Sequence, residues 1–298
     1  MEPYVIFTDA TADLSAELCR QKDIRVVPMS YDIEGKEFRF SPFASDITSD
    51  EFFERMDKGE IARTAGINEA EYQKLFEEVL AGGQDLLYIA FSSALSSSYS
   101  VSELCVSRLR EKYPERKIYA VDSLCASAGE GLLVYTAACL REEGKTIGEL
   151  RDWLYAKRLN LCHWFTVDEL SALQRGGRLS GTAAKVGTIL NIKPVMHVDD
   201  EGRLVKVEMV RGRKKSLEAM AEAMAKTVAP ELSRQVFICY GSCLDDAHLL
   251  AELIEKQRAA LNGAVPEPME YTFLHMGPVI GAHTGSSVLA LFFFGGKR

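Results

Sequence analysis

Short apolar runs alternate with amphipathic segments along the first half of the chain. The apolar runs predict β-strands over residues 4–9, 24–33, 86–91 and 117–123. The segments between them predict α-helices over residues 50–59, 68–83, 98–113 and 129–144, with a further helix capped by Asp13 or Ser15. Because this alternation is typical of parallel strands joined by crossover helices, we predict an α/β layered domain.

The pattern changes from residue 161 onward. Strands are predicted over 161–167, 235–241 and 269–275, and "DDEG" (199–202) joins two alternating runs as the turn of a hairpin. Helices are predicted over residues 168–174, 182–190, 213–228 and 245–261. A glycine-rich turn around His283 and an apolar strand end the chain. We therefore predict two α/β domains, residues 1–157 and 158–298, with parallel or mixed sheets flanked by helices.

Composition narrows the class of protein. The chain of 298 residues has a net charge of −8, which disfavours non-specific binding to nucleic acid. Its seven cysteines are scattered and odd in number, as is typical of a reducing compartment. The N-terminus lacks the features of a secretory signal, and no apolar run approaches the ~20 residues of a membrane span. We expect a cytoplasmic protein.

Polar side chains follow three of the predicted parallel strands. These clusters are Asp9–Thr11, Ser92–Ser98 and Asp122–Ser123, and the second includes "SSALSSSY", with five serines in eight positions. Each cluster alone is compatible with a helix cap. Ligands of open α/β sheets gather at the carboxyl ends of the strands, so the three together favour a binding site.

Several common sites have no support in the sequence. There is no phosphate-binding P-loop, and "GEGLLV" (129–134) fails the dinucleotide fingerprint. Cys239 and Cys243 have no second pair, and His275 and His283 have no carboxylate cluster beside them, so no metal site is predicted. A hydrolase or acyl transferase that acts on a lipid ester, with Ser93 as nucleophile and His283 as base, stays open as an alternative.

The segment "LQRGGRLSG" (173–181) displays an arginine on a fixed turn. Its glycine pair permits an unusual backbone, and Arg178 follows at once. An anion-binding set is formed by this arginine, one histidine and three hydroxyls, which are Arg178, His283, Thr64, Ser92 and Ser93. Such a set suits a carboxylate, which needs charge-assisted donors when it is buried. The basic island "VRGRKK" (210–215) is either a solvated helix start or a docking site for an anionic partner.

Six motifs of the chain resemble those of the DegV family in order and spacing. They are "FTDATADL", "SSALSSSY", "VDSLCASAGEGLLV", "LQRGGRLSGTAAKVGTILNIKPV", "VRGRKKSLEAM" and "GPVIGAHTG". The resemblance covers essentially the whole chain. It implies two α/β domains with a long-chain fatty acid between them, and no cofactor. It further implies a non-catalytic carrier, similar to FakB, which presents the fatty acid to the ATP-dependent kinase subunit of bacterial fatty acid kinase.

The same resemblance implies roles for individual residues. Thr64, Ser93 with its neighbour Ser92, Arg178 and His283 stand where the family binds the carboxylate. Arg211 falls where the family engages its kinase. Fatty acid delivery to phospholipid metabolism allows transient contact with a membrane. A lipid-sensing protein without a kinase partner is a further alternative.

Overall fold

The computed structural model of the protein describes residues 3–179, 191–262 and 267–298. The helix predicted over 182–190 lies outside these residues. The described strands are β1 (Tyr4–Asp9), β2 (Ile24–Val27), β3 (Met29–Ile33), β4 (Lys36–Ser41), β5 (Ala44–Ser45), β6 (Ala62–Thr64), β7 (Asp85–Ala90), β8 (Ile118–Asp122), β9 (Leu161–Thr166), β10 (Ile192–Val198), β11 (Leu204–Arg211), β12 (Gln235–Tyr240), β13 (Glu270–His275) and β14 (Leu289–Phe294). The described helices are α1 (Ala16–Gln21), α2 (Ser49–Asp57), α3 (Glu69–Ala81), α4 (Ser98–Lys112), α5 (Ala128–Glu142), α6 (Ile147–Lys157), α7 (Ser171–Arg175), α8 (Arg213–Thr227), α9 (Leu244–Asn262) and α10 (Pro278–Thr284).

The first sheet is parallel throughout, in the order β2-β1-β7-β8. Its central strands β1 and β7 are buried along their whole length, which explains their continuous apolar runs. The helix between β1 and β2 begins after Ser15, whose side chain caps it by accepting from the Leu18 N–H. The predicted α/β class is confirmed by this sheet and its crossover helices.

A second, antiparallel sheet departs from the prediction. The segment 24–33 is two strands in different sheets, because it is interrupted at Pro28, which has no N–H to donate to a ladder. The second strand, β3, joins β4, β5 and β6 in the order β5-β4-β3-β6. Glu34 and Gly35 form the β3–β4 turn with φ of 51° and 84°. Glutamate is not a usual signal for such a turn, so the hairpin escaped prediction.

The third sheet is mixed, in the order β11-β10-β9-β14-β12-β13. Only β12 and β13 are parallel, and the predicted hairpin around 199–202 joins β10 to β11. The predicted domain boundary near residue 158 falls between β8 of the first sheet and β9 of the third. Because one hydrophobic core includes side chains from both halves, the division into residues 1–157 and 158–298 stays a prediction.

Helix α5 lies between the first and third sheets. It contacts β1 and β7 on one side and β12 and β14 on the other. Its first turns are buried all round, which is why "GEGLLV" carries no polar stripe. Gly131 faces the first half, where an added Cβ would lie 2.4 Å from the carbonyl oxygen of Ala12. A side chain at this position would therefore force the helix away from the first sheet.

Two further helices were not predicted. The glycine-rich segment around His283 is a short helix, α10, which begins at Pro278, a favourable residue for the first helical position. Helix α6 begins with a capping box in which Thr146 and Glu149 satisfy each other's backbone N–H groups. This second pattern was readable in the sequence as T-x-x-E before an apolar run.

Asp13 links the two halves of the chain. It accepts a hydrogen bond from the Ser127 hydroxyl at 2.6 Å and another from the Gly277 N–H at 2.9 Å, at the start of α10. Burial raises the pKa of the Asp13 carboxyl from 3.8 to about 7. The folded protein therefore holds a proton at this link over a pH range in which the unfolded chain has lost it.

We predict that Asp13→Asn reduces the pH dependence of stability. The pKa in the folded state is the higher one, so the stabilisation is present below about pH 4 and is lost as pH rises through about 7. Its upper bound is on the order of 4 kcal/mol, at about 1.36 kcal/mol per pKa unit. Asparagine does not titrate, and it can accept from Gly277 and donate to Ser127. The melting temperature of the variant should consequently fall less between about pH 5 and pH 8.

The control for this experiment is Asp200→Asn, at an exposed position in the β10–β11 turn. It should leave the pH dependence of melting as it is in the wild type. An Asp13→Asn protein with the wild-type pH dependence would contradict the account of this carboxyl.

Candidate binding site

A cavity lies between the third sheet, α10 and the loops that follow the strands of the first sheet. Within it, the positions open to the centre of a water-sized sphere fill about 100 Å³. Most of its lining is apolar: Met29, Ala65, Gly66, Phe91, Leu95, Ala126, Phe165, Leu173, Val198, Leu204, Met276, Val279, Ile280, Val288, Ala290 and Phe292. The polar lining residues are Thr11, Thr64, Ser96, Ser127, His163, Arg178, His283 and Thr284.

The third sheet provides one wall of the cavity. Alternate residues of β14 and β9 face inward, as expected for strands, and their register pairs Ala290 with Phe165 and Phe292 with His163. The lining also includes Thr11, Ser96 and Ser127, which follow β1, β7 and β8. Of the polar clusters predicted at the carboxyl ends of the first sheet, the first contributes Thr11 and the second Ser96, whereas Asp122 and Ser123 do not line the cavity.

His283 and Thr64 meet at the cavity wall. Thr64 is the last residue of β6, and its hydroxyl lies 2.8 Å from Nε2 of His283 on α10. Nδ1 of this histidine is buried and has no partner among the described residues. Burial, together with the nearby charge of Arg178, lowers the pKa of His283 to about 4. The imidazole is therefore neutral near pH 7.

Arg178 is held by backbone carbonyl groups. Its Nε donates to the carbonyl oxygen of Leu95 at 3.1 Å, and one terminal nitrogen donates to that of Gly176 at 2.6 Å. The other terminal nitrogen has no hydrogen-bond partner in the part of the chain that the structure describes. A guanidinium that is fixed in this way and lines a cavity can bind an anion without first being ordered.

Glycine is required at each of the two positions before Arg178, for a different structural reason. A Cβ at Gly176 would lie 2.2 Å from Nδ1 of His283, so the absence of a side chain lets the ring approach the backbone. Gly177 has φ of +69°, in the left-handed region that favours glycine. The "GGR" motif thus brings Arg178 and His283 to one place.

The serine cluster is placed differently from the expectation. The Ser92 hydroxyl is fully buried and donates to the carbonyl oxygen of Gly202 at 2.9 Å. Ser93 is exposed, and its N–H donates to Asp122 at 3.1 Å. Neither residue lines the cavity, whereas Ser96 does. The loop before α4 turns after Ser93. Ser96, rather than Ser92 or Ser93, therefore lines the cavity, and the spacing of the serines in "SSALSSSY" did not indicate this.

A buried acidic network, which the sequence did not indicate, lies beside Thr11. The Thr11 hydroxyl is hydrogen-bonded to Asp9 and lies 3.0 Å from Oε2 of Glu130, whose Oε1 accepts from Thr8 at 2.7 Å. Since the Thr11 hydroxyl has only one proton to donate, both contacts can be hydrogen bonds only when one of the two carboxyl groups is protonated and donates to Thr11. Burial raises the pKa of Glu130 well above its ordinary value and also raises that of Asp9, in agreement with a proton held between them.

Arg211 lies apart from this group. It is the last residue of β11, it is exposed, and it is not among the lining residues of the cavity. Within residues 3–179, 191–262 and 267–298, no cluster of three or more His, Cys, Asp or Glu side chains is placed to hold a metal ion. None of the helices in these ranges is long and apolar enough to cross a membrane.

Comparison with known proteins gives the family. A family model described as "Uncharacterised protein, DegV family" matches residues 3–295. A DegV domain-containing protein of Clostridium perfringens is 37% identical over 298 residues, which is 100% of this chain and 99% of that protein. The chain therefore belongs to the DegV family, as its six motifs predicted.

Solved structures share the fold. A DegV family protein from Thermus thermophilus, described as fatty-acid-binding, is 28% identical, with a TM-score of 0.82 over 99% of this chain and 100% of that one. A DegV family protein from Ruminococcus gnavus, refined with vaccenic acid, has a TM-score of 0.85 at 20% identity, over 97% and 99% of the two chains. The predicted α/β fold of the family is thereby confirmed.

We predict that Gly176→Ala displaces the His283 ring. The added methyl group cannot lie 2.2 Å from Nδ1, so the ring must move towards solvent or into the cavity. Its pKa should then rise from about 4 towards 6.5, which NMR titration of the ring protons can measure. Gly148→Ala is the matched control, because a Cβ there meets nothing within 4 Å. An unchanged His283 titration in Gly176→Ala would contradict the contact.

Proposed function

We propose that the protein binds a long-chain fatty acid in this cavity and presents its carboxylate to a separate kinase subunit. The observation that carries the proposal is the contrast within the cavity, whose lining is mostly apolar but includes one fixed arginine, Arg178, beside a neutral histidine, His283. An apolar cavity with a few convergent polar groups suits an amphiphile with one charged end. The fatty acid bound by the Thermus thermophilus relative supports this ligand class.

The polar group offers donors for a carboxylate. The terminal nitrogen of Arg178 that has no hydrogen-bond partner among the described residues supplies the charge, and two side chains, Ser96 and Thr64, supply neutral donors. The Ser98 N–H donates to Ser96 Oγ at 3.2 Å, and the two hydroxyls lie 3.0 Å apart. When Ser98 donates to Ser96, the Ser96 proton is available to the ligand. Likewise, when Nε2–H of His283 donates to Thr64, the Thr64 hydroxyl is available.

The acidic network favours one orientation of the ligand. Asp9, Asp13 and Glu130 lie behind Thr11 and Ser127, and burial raises the pKa of all three. A carboxylate at that part of the cavity would face acids and no described cation. The hydroxyls of Thr11 and Ser127 are already bonded to these acids, so they offer little to a polar group. We therefore place the carboxylate at Arg178 and the acyl chain along the third sheet.

The apolar chain supplies most of the affinity. Burial of a sixteen-carbon chain is worth on the order of 12 kcal/mol, at ~0.8 kcal/mol per methylene. Ordering of the chain and loss of free motion offset a large part of this gain. The remainder is compatible with sub-micromolar binding. The carboxylate contacts then determine orientation, and the protein itself need not catalyse a reaction.

The kinase subunit would transfer the γ-phosphoryl group of ATP to a carboxylate oxygen, which yields an acyl phosphate and ADP. Arg211 is exposed and outside the cavity, so it is free to contact such a partner. The alternative of a hydrolase that uses Ser93 and His283 has less support, because Ser93 does not line the cavity and Nε2 of His283 is paired with Thr64.

We predict that Arg178→Ala weakens fatty acid binding by about 10- to 100-fold. The estimate takes about 1.5–3 kcal/mol for a hydrogen bond to a charged group. A titration that displaces a fluorescent fatty acid can measure the affinity. The methyl ester of the same fatty acid has no charge and should bind both proteins alike. Equal loss for acid and ester would show damage to the cavity rather than loss of carboxylate recognition.

Alanine variants of Ser96 and Ser93 test which serine hydroxyl contacts the fatty acid carboxylate. Ser96→Ala should weaken binding of the acid several-fold, and Ser93→Ala should have no effect, because only Ser96 lines the cavity. The same displacement titration applies to both variants. A loss of affinity in Ser93→Ala with none in Ser96→Ala would return the carboxylate to the position expected from the sequence.

We predict that Arg211→Ala impairs phosphorylation of the bound fatty acid by a cognate kinase subunit and leaves fatty acid affinity unchanged. Arg203→Ala, at an exposed position on the same hairpin, serves as the control. The assay follows acyl phosphate formation at limiting carrier concentration. If phosphorylation is retained in Arg211→Ala, the docking assignment is wrong. If the wild-type carrier supports no phosphorylation, the kinase role itself is wrong.

A further inference from the structure

One part of the cavity is lined by a pair of rings that contact each other. His163 on β9 and Phe292 on β14 are register partners, and their rings meet edge to face with centroids 5.3 Å apart. Both line the cavity. Along β14, Phe292 lies four residues beyond Val288, which is about 13 Å at ~3.3 Å per residue. Val288 is four residues from Thr284, at the end of the helix that carries His283.

Gly129 lies directly behind these rings. A Cβ at this position of α5 would be 2.3 Å from Nε2 of His163 and 2.7 Å from Cδ1 of Phe292. The His163 ring is also fixed by hydrogen bonds, since its Nε2 accepts from the Ala126 N–H at 3.1 Å and its Nδ1 lies 3.1 Å from the carbonyl oxygen of Leu161. The glycine thus lets both rings pack against the backbone of α5.

We infer that Gly129 sets the depth of the cavity through His163 and Phe292, and with it the longest acyl chain that the protein binds. The inference rests on the proposed fatty acid function. It assigns a specificity-determining role to a residue that does not itself line the cavity.

The direction of the effect follows from the packing around the rings. Behind the sheet, the neighbours Cys162, Leu291 and Phe293 are buried in the core formed with α8 and α9, so no space is available there. The empty volume beside the rings is the cavity itself. A methyl group at Gly129 should therefore push the rings into the cavity and shorten it. A smaller side chain at position 292 should lengthen it.

Two variants with opposite predicted effects test the inference. Gly129→Ala should lower the affinity for the longest members of a homologous series of saturated fatty acids, by about fourfold for each methylene left unburied. The affinity for short members should change little. Phe292→Leu should move the preference towards longer chains. Competition against one fluorescent fatty acid gives the whole profile for each protein.

The controls are Gly148→Ala and Phe293→Leu. The first adds a methyl group where it meets nothing within 4 Å, and the second makes the same change on the opposite face of β14. Both should keep the wild-type chain-length profile. If Gly129→Ala does not fold, as judged by circular dichroism, Phe292→Leu compared with Phe293→Leu decides the question.

The outcomes separate the inference from the proposed function. If the wild type binds no member of the series, the proposed function fails. If the wild type binds and the Gly129 and Phe292 variants keep its profile, or weaken all chain lengths equally, the inference is wrong. A shift of the preference to shorter chains in Gly129→Ala supports the inference. If Gly129→Ala does not fold, a shift to longer chains in Phe292→Leu supports it.

Discussion

The burial of α5 between two sheets is the constraint on which the rest of the structure depends. A helix that packs on both sides cannot carry a polar stripe, and its backbone must come close to both neighbours. Gly131 permits the approach to Ala12 in the first half, and Gly129 permits the approach to the rings of the third sheet. The start of this helix is also where Ser127 bonds to Asp13 and where Glu130 joins the buried acids. The cavity lies beside the start of α5, where Ala126 and Ser127 line it.

Different parts of the cavity account for the affinity and for the orientation of a bound amphiphile. The apolar lining of the cavity comes from strands of the third sheet, from α10 and from loops, and many of these residues also belong to the hydrophobic core. Among the described residues that line the cavity, Arg178 is positioned by carbonyl groups and by no carboxylate, which leaves its charge for a ligand. The histidine beside it is neutral because it is buried near that cation. An anion with a long apolar chain satisfies both parts of this arrangement, whereas a small polar anion would leave most of the lining unfilled.

Local pattern predicted most elements and part of the site. The parallel first sheet follows from alternating strands and helices, and Thr64, Arg178 and His283 were singled out as residue types that suit a carboxylate. The break at Pro28 and the turn at Glu34 were missed because each depends on which sheet the chain enters, a tertiary property. The choice between Ser93 and Ser96 likewise depends on how one loop turns before α4. The role of Gly129 was not visible, since a glycine in a helix gives no sign of what lies against it.

Native mass spectrometry of the freshly purified protein, followed by extraction and identification of bound lipid, tests the central claim most directly. The account predicts a one-to-one adduct with the mass of a long-chain fatty acid, which is absent or strongly reduced in Arg178→Ala. A protein that is free of lipid, and that keeps the same mass after incubation with fatty acids, would contradict it.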